Sequence, residues 1–467
     1  MDNSSSTFQV VREMRRDLDD DGREKRTGTV TSASAHIITA VIGSGVLSLS
    51  WAVAQLGWIA GPTALLLFSV ITYFTSNLLA DSYRTPDPVY GKRNYTYMDV
   101  VQANLGGIKV QLSGIAQYAN LLGTTIGYTI TASISIAAVK KSNCFHYKGH
   151  NEDCKSIYYQ YMIMFGAIQI VLSQIQNFHK LSLLSMVSTM MSIAYSSIGV
   201  GLSIAKVATR EHVRTSLTGV TVGVDVSGQE KIWRTFQAIG DIAFSYSFSP
   251  VLIEIQDTLK AYPPENGVMK KASLVGVTTT TMFYVLCGCV GYAAFGNNAP
   301  GNFLTSFGFY EPFWLIDFAN VCIVIHLVGA YQVFAQPLFG FVEMKCKQRW
   351  ATSKFVMKEH SIRGYKVNML RLCWRTSYVM LTTVIAMIFP FFNSFLGLIG
   401  AISFYPLTVY FPIEMHLVRS NIPKFSSTWL WLKMLSFTCL VVSLVAGIGS
   451  IQGLLHELKK YQVFEAE

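Results

Sequence analysis

The sequence predicts an all-α polytopic membrane protein with eleven transmembrane helices, the first and sixth broken at mid-membrane. Three observations carry this. Charged residues make up only 14% of the 467 residues and hydrophobic ones 51%, where a soluble domain carries about 25% charged residues. Uncharged runs such as Leu112 to Val139, Ile157 to Ile175 and Met434 to Leu455 reach the roughly 20 residues that cross a bilayer. Two of the predicted spans hold helix-breaking residues at their centres. The net charge of +10 does not point to nucleic acid, because the charges lie in the gaps between apolar runs, as membrane topology requires.

Residues 1–28 are polar and charged, contain no apolar segment and therefore no cleavable signal peptide, and read as a disordered cytoplasmic tail. The transmembrane domain is expected over 29–457, with spans near 29–55, 59–83, 110–139, 157–177, 183–206, 232–257, 268–294, 312–343, 371–390, 394–416 and 428–455. Between spans 2 and 3 the chain is polar, with Pro86, Pro88 and a short interfacial helix from Thr96 to Leu105. The segment 207–231 is rich in Gly, Thr and Val, and the loop from Lys345 to Asn368 is basic. Residues 458–467 form a short tail after the last span.

Orientation follows from Lys and Arg. With the N-terminus inside, 26 of the 37 basic residues fall in cytoplasmic segments and 11 in outer ones. An odd number of spans then places the C-terminus outside. Of eight cysteines, only Cys144 and Cys154 share a loop, and that loop is an outer one. A disulfide is expected there; two free thiols are the alternative. The Asn-X-Ser/Thr patterns at Asn3 and Asn94 fall on the cytoplasmic side and should remain unmodified.

The chemistry is expected at the two broken spans. Span 1 contains Ile42-Gly43-Ser44-Gly45, and span 6 contains Phe244-Ser245-Tyr246-Ser247-Phe248-Ser249-Pro250. Gly costs a helix about 1 kcal/mol relative to Ala, and Pro about 3. Unwound backbone inside a membrane must line a cavity or be buried in protein. It exposes amides and carbonyls at half-helix ends, which suits a zwitterion: amides take a carboxylate and carbonyls take an ammonium. Interrupted helices in matching places of two halves point to a transporter site. The expected contacts are Gly43, Ser44 and Gly45 for the carboxylate and Ser245 and Tyr246 for the ammonium, with Phe248 as a gate.

The run Ser34-Ala35-His36-Ile37-Ile38-Thr39-Ala40-Val41-Ile42-Gly43-Ser44-Gly45-Val46-Leu47-Ser48-Leu49, continued by Trp51-Ala52-Val53-Ala54-Gln55-Leu56-Gly57-Trp58, resembles the first span of plant amino acid permeases. Gly240-Asp241-Ile242-Ala243-Phe244-Ser245-Tyr246 resembles that family's sixth span, and Ser403-Phe404-Tyr405-Pro406-Leu407-Thr408-Val409-Tyr410-Phe411-Pro412 its tenth. The likeness extends over nearly the whole chain except the N-terminal tail. The family belongs to the amino acid/auxin permease group. The resemblance implies a LeuT-like fold: a 5+5 inverted repeat over about 29–206 and 232–416, with the helix at 428–455 added. It implies a secondary active transporter of the plasma membrane with an amino acid as substrate, and no cofactor is expected; the driving ion, a proton, is read from the residues below. The resemblance leaves auxin or γ-aminobutyrate as other cargoes, and a non-transporting amino-acid sensor as another role.

Ionisable residues within spans are costly and so are functional candidates. His36 lies in the inner half of span 1, His326 near the middle of span 8, Asp241 just outside the span 6 break and Glu254 just inside it. In the fold that the resemblance implies, span 1 packs beside span 8. From Pro312 to Glu343, span 8 has no Ser or Thr, so it offers no hydroxyl to a sodium ion and supplies an imidazole instead. His36 and His326, with Asp241 as the further candidate, are therefore expected to couple protons. Tyr118, Tyr128, Tyr246, Phe248 and Tyr331 are expected along the substrate path. GxxxG pairs at Gly57–Gly61, Gly123–Gly127 and Gly449–Gly453 read as close helix contacts. No G-x-S-x-G, H-E-x-x-H or cysteine cluster suggests an enzyme or a metal.

Overall fold

A computed structural model of the chain describes residues 18–23, 25–149, 154, 156–175, 182–209, 213–307, 313–362 and 365–460. Span 1 is in two pieces. The first is Val30–Val41, started by a capping box in which the Thr29 hydroxyl accepts from the Ser32 amide and the Ser32 hydroxyl accepts from the Thr29 amide. The second opens the helix Gly45–Asp81, which supplies the rest of span 1 and all of span 2 and folds between them at Gly57, φ 80°. That backbone conformation favours glycine, and a Cβ at Gly57 would press on the backbone of Leu217, Thr218 and Gly219. Gly57 thus serves a turn and a loop contact, while Gly61 of span 2 packs closely on Val53 of span 1, so the expected close helix contact is made by Gly61 and not by Gly57.

Spans 3, 4 and 5 are Ile108–Lys148, Tyr158–Leu172 and Ser182–Ala208. Span 6 is Gly228–Ser245 followed by Ser249–Gln256. Spans 7, 8 and 9 are Glu265–Phe295, Phe313–Arg349 and Met369–Ile388. Span 10 runs Phe392–Ser403, a wide π-helical stretch Phe404–Tyr410, then Phe411–Arg419, and span 11 is Ser427–Lys460. The wide turns follow from Pro406 and Pro412, which remove helical donors; the Phe411 amide reaches back to Pro406 O. Eight helical segments among the described residues are long and apolar enough to cross a bilayer, and Val30–Val41 and Tyr158–Leu172 are shorter apolar helices. With Gly45–Asp81 counted for the end of span 1 and all of span 2, and with Met369–Ile388 added as span 9, these helices are consistent with the eleven expected crossings.

The other two GxxxG pairs also bring helices together. Gly123 and Gly127 of span 3 face Ile399 and Leu396 of span 10, and Gly449 and Gly453 of span 11 face Phe236 and Gln237 of span 6. Spans 6 and 10 are closer still: a Cβ at Gly240 would lie 2.6 Å from the Gly397 carbonyl oxygen. The interfacial helix is Tyr97–Asn104. The basic loop after span 8 contains a short helix Lys354–Met357 and a hairpin pairing Glu359–Ile362 with Tyr365–Asn368. Cys144 and Cys154 are joined by a disulfide with their Cα atoms 6.0 Å apart.

The end of the N-terminal tail is not free, which corrects the expectation of disorder for its described part. Arg26 is buried, and its guanidinium binds Asp257 just past span 6 at 2.8 Å, Asp19 at 3.0 Å and Asp21 at 2.8 Å. Gly28 donates to Thr258 O at 2.9 Å and accepts from the Lys260 amide at 3.1 Å. Residues 1–17 and 461–467, including Asn3 and most of the expected outer tail, lie outside the described residues.

Candidate functional site

The two breaks meet. A Cβ at Gly45 would stand 2.5 Å from Ser245 Oγ and 3.0 Å from Ser245 Cα. Gly45 is therefore small because span 6 passes over it. At Gly43 a Cβ would come 3.0 Å from the Tyr128 hydroxyl. Both glycines are thus constrained by protein contacts.

Two tyrosines hold the unwound backbone. Tyr195 of span 5 donates to Ile42 O at 3.1 Å and Gly43 O at 3.0 Å. Tyr284 of span 7 bridges the breaks, its hydroxyl meeting Ser245 O at 2.8 Å and Val41 O. Sequence reasoning missed both. The signal available was a tyrosine in the middle of an apolar run, since a buried phenol needs a partner. Tyr246 packs edge-on to Tyr284 with centroids 5.1 Å apart and donates to Thr281 Oγ1 at 3.3 Å. Phe248 is fully buried in the span 6 break. Tyr118 packs tilted against Phe341, and Tyr331 shares a hydrogen bond with Thr382 of span 9, so these two belong to neighbouring packing.

The backbone donors are distributed unevenly. The Gly43 amide donates to Val41 O at 2.8 Å and the Ile42 amide to Ile38 O. The helix that begins at Gly45 leaves its first amides without intrahelical acceptors, so the free donors lie at Ser44 and Gly45 more than at Gly43. The hydroxyls of Ser44, Ser247 and Ser249 are buried and have no hydrogen-bond partner among the described residues. Such groups are expensive in a low-dielectric interior unless a ligand or a second state satisfies them.

His326 is fully buried, with Nδ1 2.9 Å from Ser188 O of span 5. A carbonyl only accepts, so Nδ1 carries the proton, and Nε2, which has no partner among the described residues, is the basic nitrogen. Span 5 also holds the turn of span 1 that carries His36: Thr39 donates to Ser185 O and Thr189 donates to Ala35 O, both at 2.9 Å. His326 is thus placed against span 5, as are Ala35 and Thr39 of the helix turn that carries His36. Span 8 has no hydroxyl here, but Ser185, Ser188 and Thr189 of span 5 bring three, so the scarcity of oxygen read from span 8 alone does not describe this interface.

Asp241 lies one turn before the span 6 break and is 0% exposed, with neither carboxylate oxygen accepting a hydrogen bond from the described residues. Glu254, beyond the break, accepts from Gln117 at 3.1 Å. Asp317 and Glu343 are engaged near span ends, by Asn143 at 2.7 Å and Arg375 at 2.6 Å.

The face that carries the disulfide opens into a cavity of about 690 Å³, bounded by Trp51, Trp233, Asn393, Gln237, His456 and Glu457. The opposite face is shut by the Arg26 cluster, which Arg84 and Arg93 extend through Glu265, both at 2.7 Å. Among the described residues no group of three His, Cys, Asp or Glu could hold a metal ion.

Residues 26–456 match the family described as transmembrane amino acid transporter protein. Amino acid permease 6 of Arabidopsis thaliana is 69% identical over 97% of this chain and 95% of its own length, and amino acid permease 1 of the same plant is 64% identical over the same shares. The more distant lysine histidine transporter-like 1 is 30% identical over 92% of this chain and 89% of its own. Among solved structures, MhsT in complex with L-phenylalanine superposes with a TM-score of 0.54 at 12% identity, covering 92% of this chain and all of that one. That likeness concerns the fold.

Proposed function

Because this chain belongs to the family of transmembrane amino acid transporters, and so is a multi-pass membrane transporter and not an enzyme, we propose that it is a proton-coupled symporter. In this proposal it imports amino acids across the plasma membrane by alternating access, with the N-terminus in the cytoplasm and the C-terminus outside. The observation that carries the site is the meeting of the two breaks at Gly45 and Ser245, with the unpartnered hydroxyls of Ser44, Ser247 and Ser249 around it. The carboxylate binds the free amides of Ser44 and Gly45 beside Ile42 and Gly43. The ammonium binds the carbonyls near Ser245 and Tyr246, and Phe248 closes over the side chain. The open cavity on one face and the ion-paired closure on the other suit a state that faces outward.

His326, His36 and Asp241 are the proposed proton groups. His326 Nε2 and both carboxylate oxygens of Asp241 are buried without a partner among the described residues, and such groups are expensive unless a proton, a ligand or a second state satisfies them. A proton entering down about 100 mV releases roughly 2.3 kcal/mol. One pH unit adds roughly 1.4 kcal/mol, and the sum supports accumulation of several hundredfold. The test is uptake of a labelled amino acid panel into proteoliposomes at two external pH values, with and without sodium. Acid-stimulated, sodium-independent accumulation is expected. Sodium-dependent uptake that ignores pH overturns proton coupling, and binding without net uptake makes the protein a sensor.

A further inference from the structure

Resting on the proposal that Asp241 carries a proton, we propose that Glu457 of span 11 is the carboxylate that loads it from the open cavity, and that Gln237 and Ser394 form the plug between the two. Asp241 is sealed from solution. One turn nearer the cavity on the same helix, Gln237 donates through Nε2 to Ser394 Oγ of span 10 at 3.2 Å. The backbone of span 11 is wedged against this pair, since a Cβ at Gly453 would lie 2.5 Å from Gln237 Oε1 and 2.9 Å from Ser394 Oγ. Beyond the pair lies the cavity, whose wall contains Gln237, Ser394 and Glu457.

Span 11 follows this path turn by turn. Ser450 stands at the level of Asp241: a Cβ at Gly397 would be 2.7 Å from Ser450 Oγ and 2.9 Å from Asp241 Oδ1. Gly453 stands at the plug, and Glu457 stands in the cavity with Oε2 buried and without a partner among the described residues. The other titratable groups on these elements are few. On span 6, Glu230 and Arg234 pair with each other at 2.6 Å. Lys231 of span 6 donates to the carbonyls of Gln55 and Thr218, and on span 11 His456 and Lys459 neighbour Glu457. The stretch Gly45–Gln55 of span 1 and the stretch Phe392–Ser403 of span 10 bring no titratable side chain. Glu457 is thus the cavity carboxylate that no described cation neutralises. The added eleventh helix then has a part in coupling beyond enclosing the fold.

The step balances simply. Glu457 takes a proton from cavity water. When Gln237 moves off Ser394 and cavity water enters the gap of about two helix turns, the O–H bond at Glu457 breaks, the proton passes along that water and an O–H bond forms at the Asp241 carboxylate, leaving Glu457 ionised to take the next proton. The experiment measures uptake against external pH in Glu457→Gln, Glu457→Asp and Asp241→Asn. Glu457→Gln is expected to lower the pH of half-maximal uptake by about one unit, a tenfold weaker apparent proton affinity, and Glu457→Asp to restore most of it. A wild-type profile in Glu457→Gln overturns the proposal. Asp241→Asn is expected to lose accumulation against a gradient while still exchanging labelled for unlabelled amino acid. Undiminished proton-driven accumulation in Asp241→Asn instead overturns the assignment of Asp241 on which the role of Glu457 rests. Should Glu457→Gln fail to reach the membrane, Gln237→Ala tests the same path. It is expected to pass an inward proton current without amino acid, and a current no larger than wild type overturns the plug.

Discussion

The rings of Tyr195 and His326 lie 5.8 Å apart at 72°, and the Tyr195 hydroxyl holds the carbonyls of Ile42 and Gly43. One residue of span 5 therefore touches both the proposed proton group and the unwound segment of span 1. An imidazolium near an aromatic ring gains cation–π attraction that a neutral imidazole does not, so a proton on His326 would bias the ring whose hydroxyl positions the break. Tyr195→Phe keeps the ring and deletes the donor. It is expected to raise the KM for amino acid about tenfold, since leaving buried acceptors unmet costs about 1–3 kcal/mol, with the pH midpoint kept. His326→Gln is expected to flatten the pH dependence. Kinetics of both variants across external pH check this, and a shift of the same parameter in both would sink the division of labour.

The glycines of span 1 should respond differently to substitution. Gly45→Ala places a methyl against Ser245 Cα and Cβ as well as Oγ, an overpacking of about 1–3 kcal/mol. It is expected to lose most uptake, and Ser245→Ala is not expected to restore it, because the backbone contact remains. Gly43→Ala meets chiefly the Tyr128 ring end, so its defect should be milder and Tyr128→Phe should relieve it. Uptake normalised to surface protein measures both.

The Arg26 clasp should set how readily the N-terminal face opens. Breaking a buried ion pair by removing one partner costs about 3–5 kcal/mol. Arg26→Ala is expected to raise labelling of a cysteine placed at Ser247 by a reagent applied from the N-terminal face. Burial opposes the charge on Asp21, but hydrogen bonds from the Arg26 side chain and the Arg23 amide, with the charges of Arg26 and Arg93, outweigh it and hold its carboxyl below the usual carboxylate range. A depressed carboxylate contributes above its ordinary value of 3.8 and loses that contribution only as pH falls through the lower folded value. Asp257 behaves oppositely: burial outweighs its bonds from Tyr83 and Arg26 and raises its carboxyl above the ordinary value, so the clasp should hold at about pH 7–8 and weaken through Asp257 first as pH falls, and labelling that stays flat on acidification would show another group in control.

The disulfide gives a check on orientation. Thiol-reactive label applied to intact cells should reach Cys144 and Cys154 only after reduction, and a tag fused after Glu467 should be accessible from the same side. Protection of the tag would break the eleven-span topology.

Much of this protein was legible along the chain. Apolar runs, the bias of Lys and Arg, Gly43 and Gly45 in span 1, Pro250 in span 6 and two cysteines in one loop are local patterns, and local patterns determined the fold class, the spans and the places where helices break. What the sequence did not determine was which side chains meet across it. Tyr284 reaches Val41 from 243 residues away and Arg26 reaches Asp257 from 231. Gly45 faces Ser245, Gly397 faces Asp241, and the Ser188 carbonyl accepts a hydrogen bond from His326 Nδ1 only because spans 6, 10 and 5 pass there. Spacing along a helix fixes which face a residue shares with its neighbours. Which helix that face meets is settled by close packing among all the spans, and that decision belongs to the tertiary structure alone.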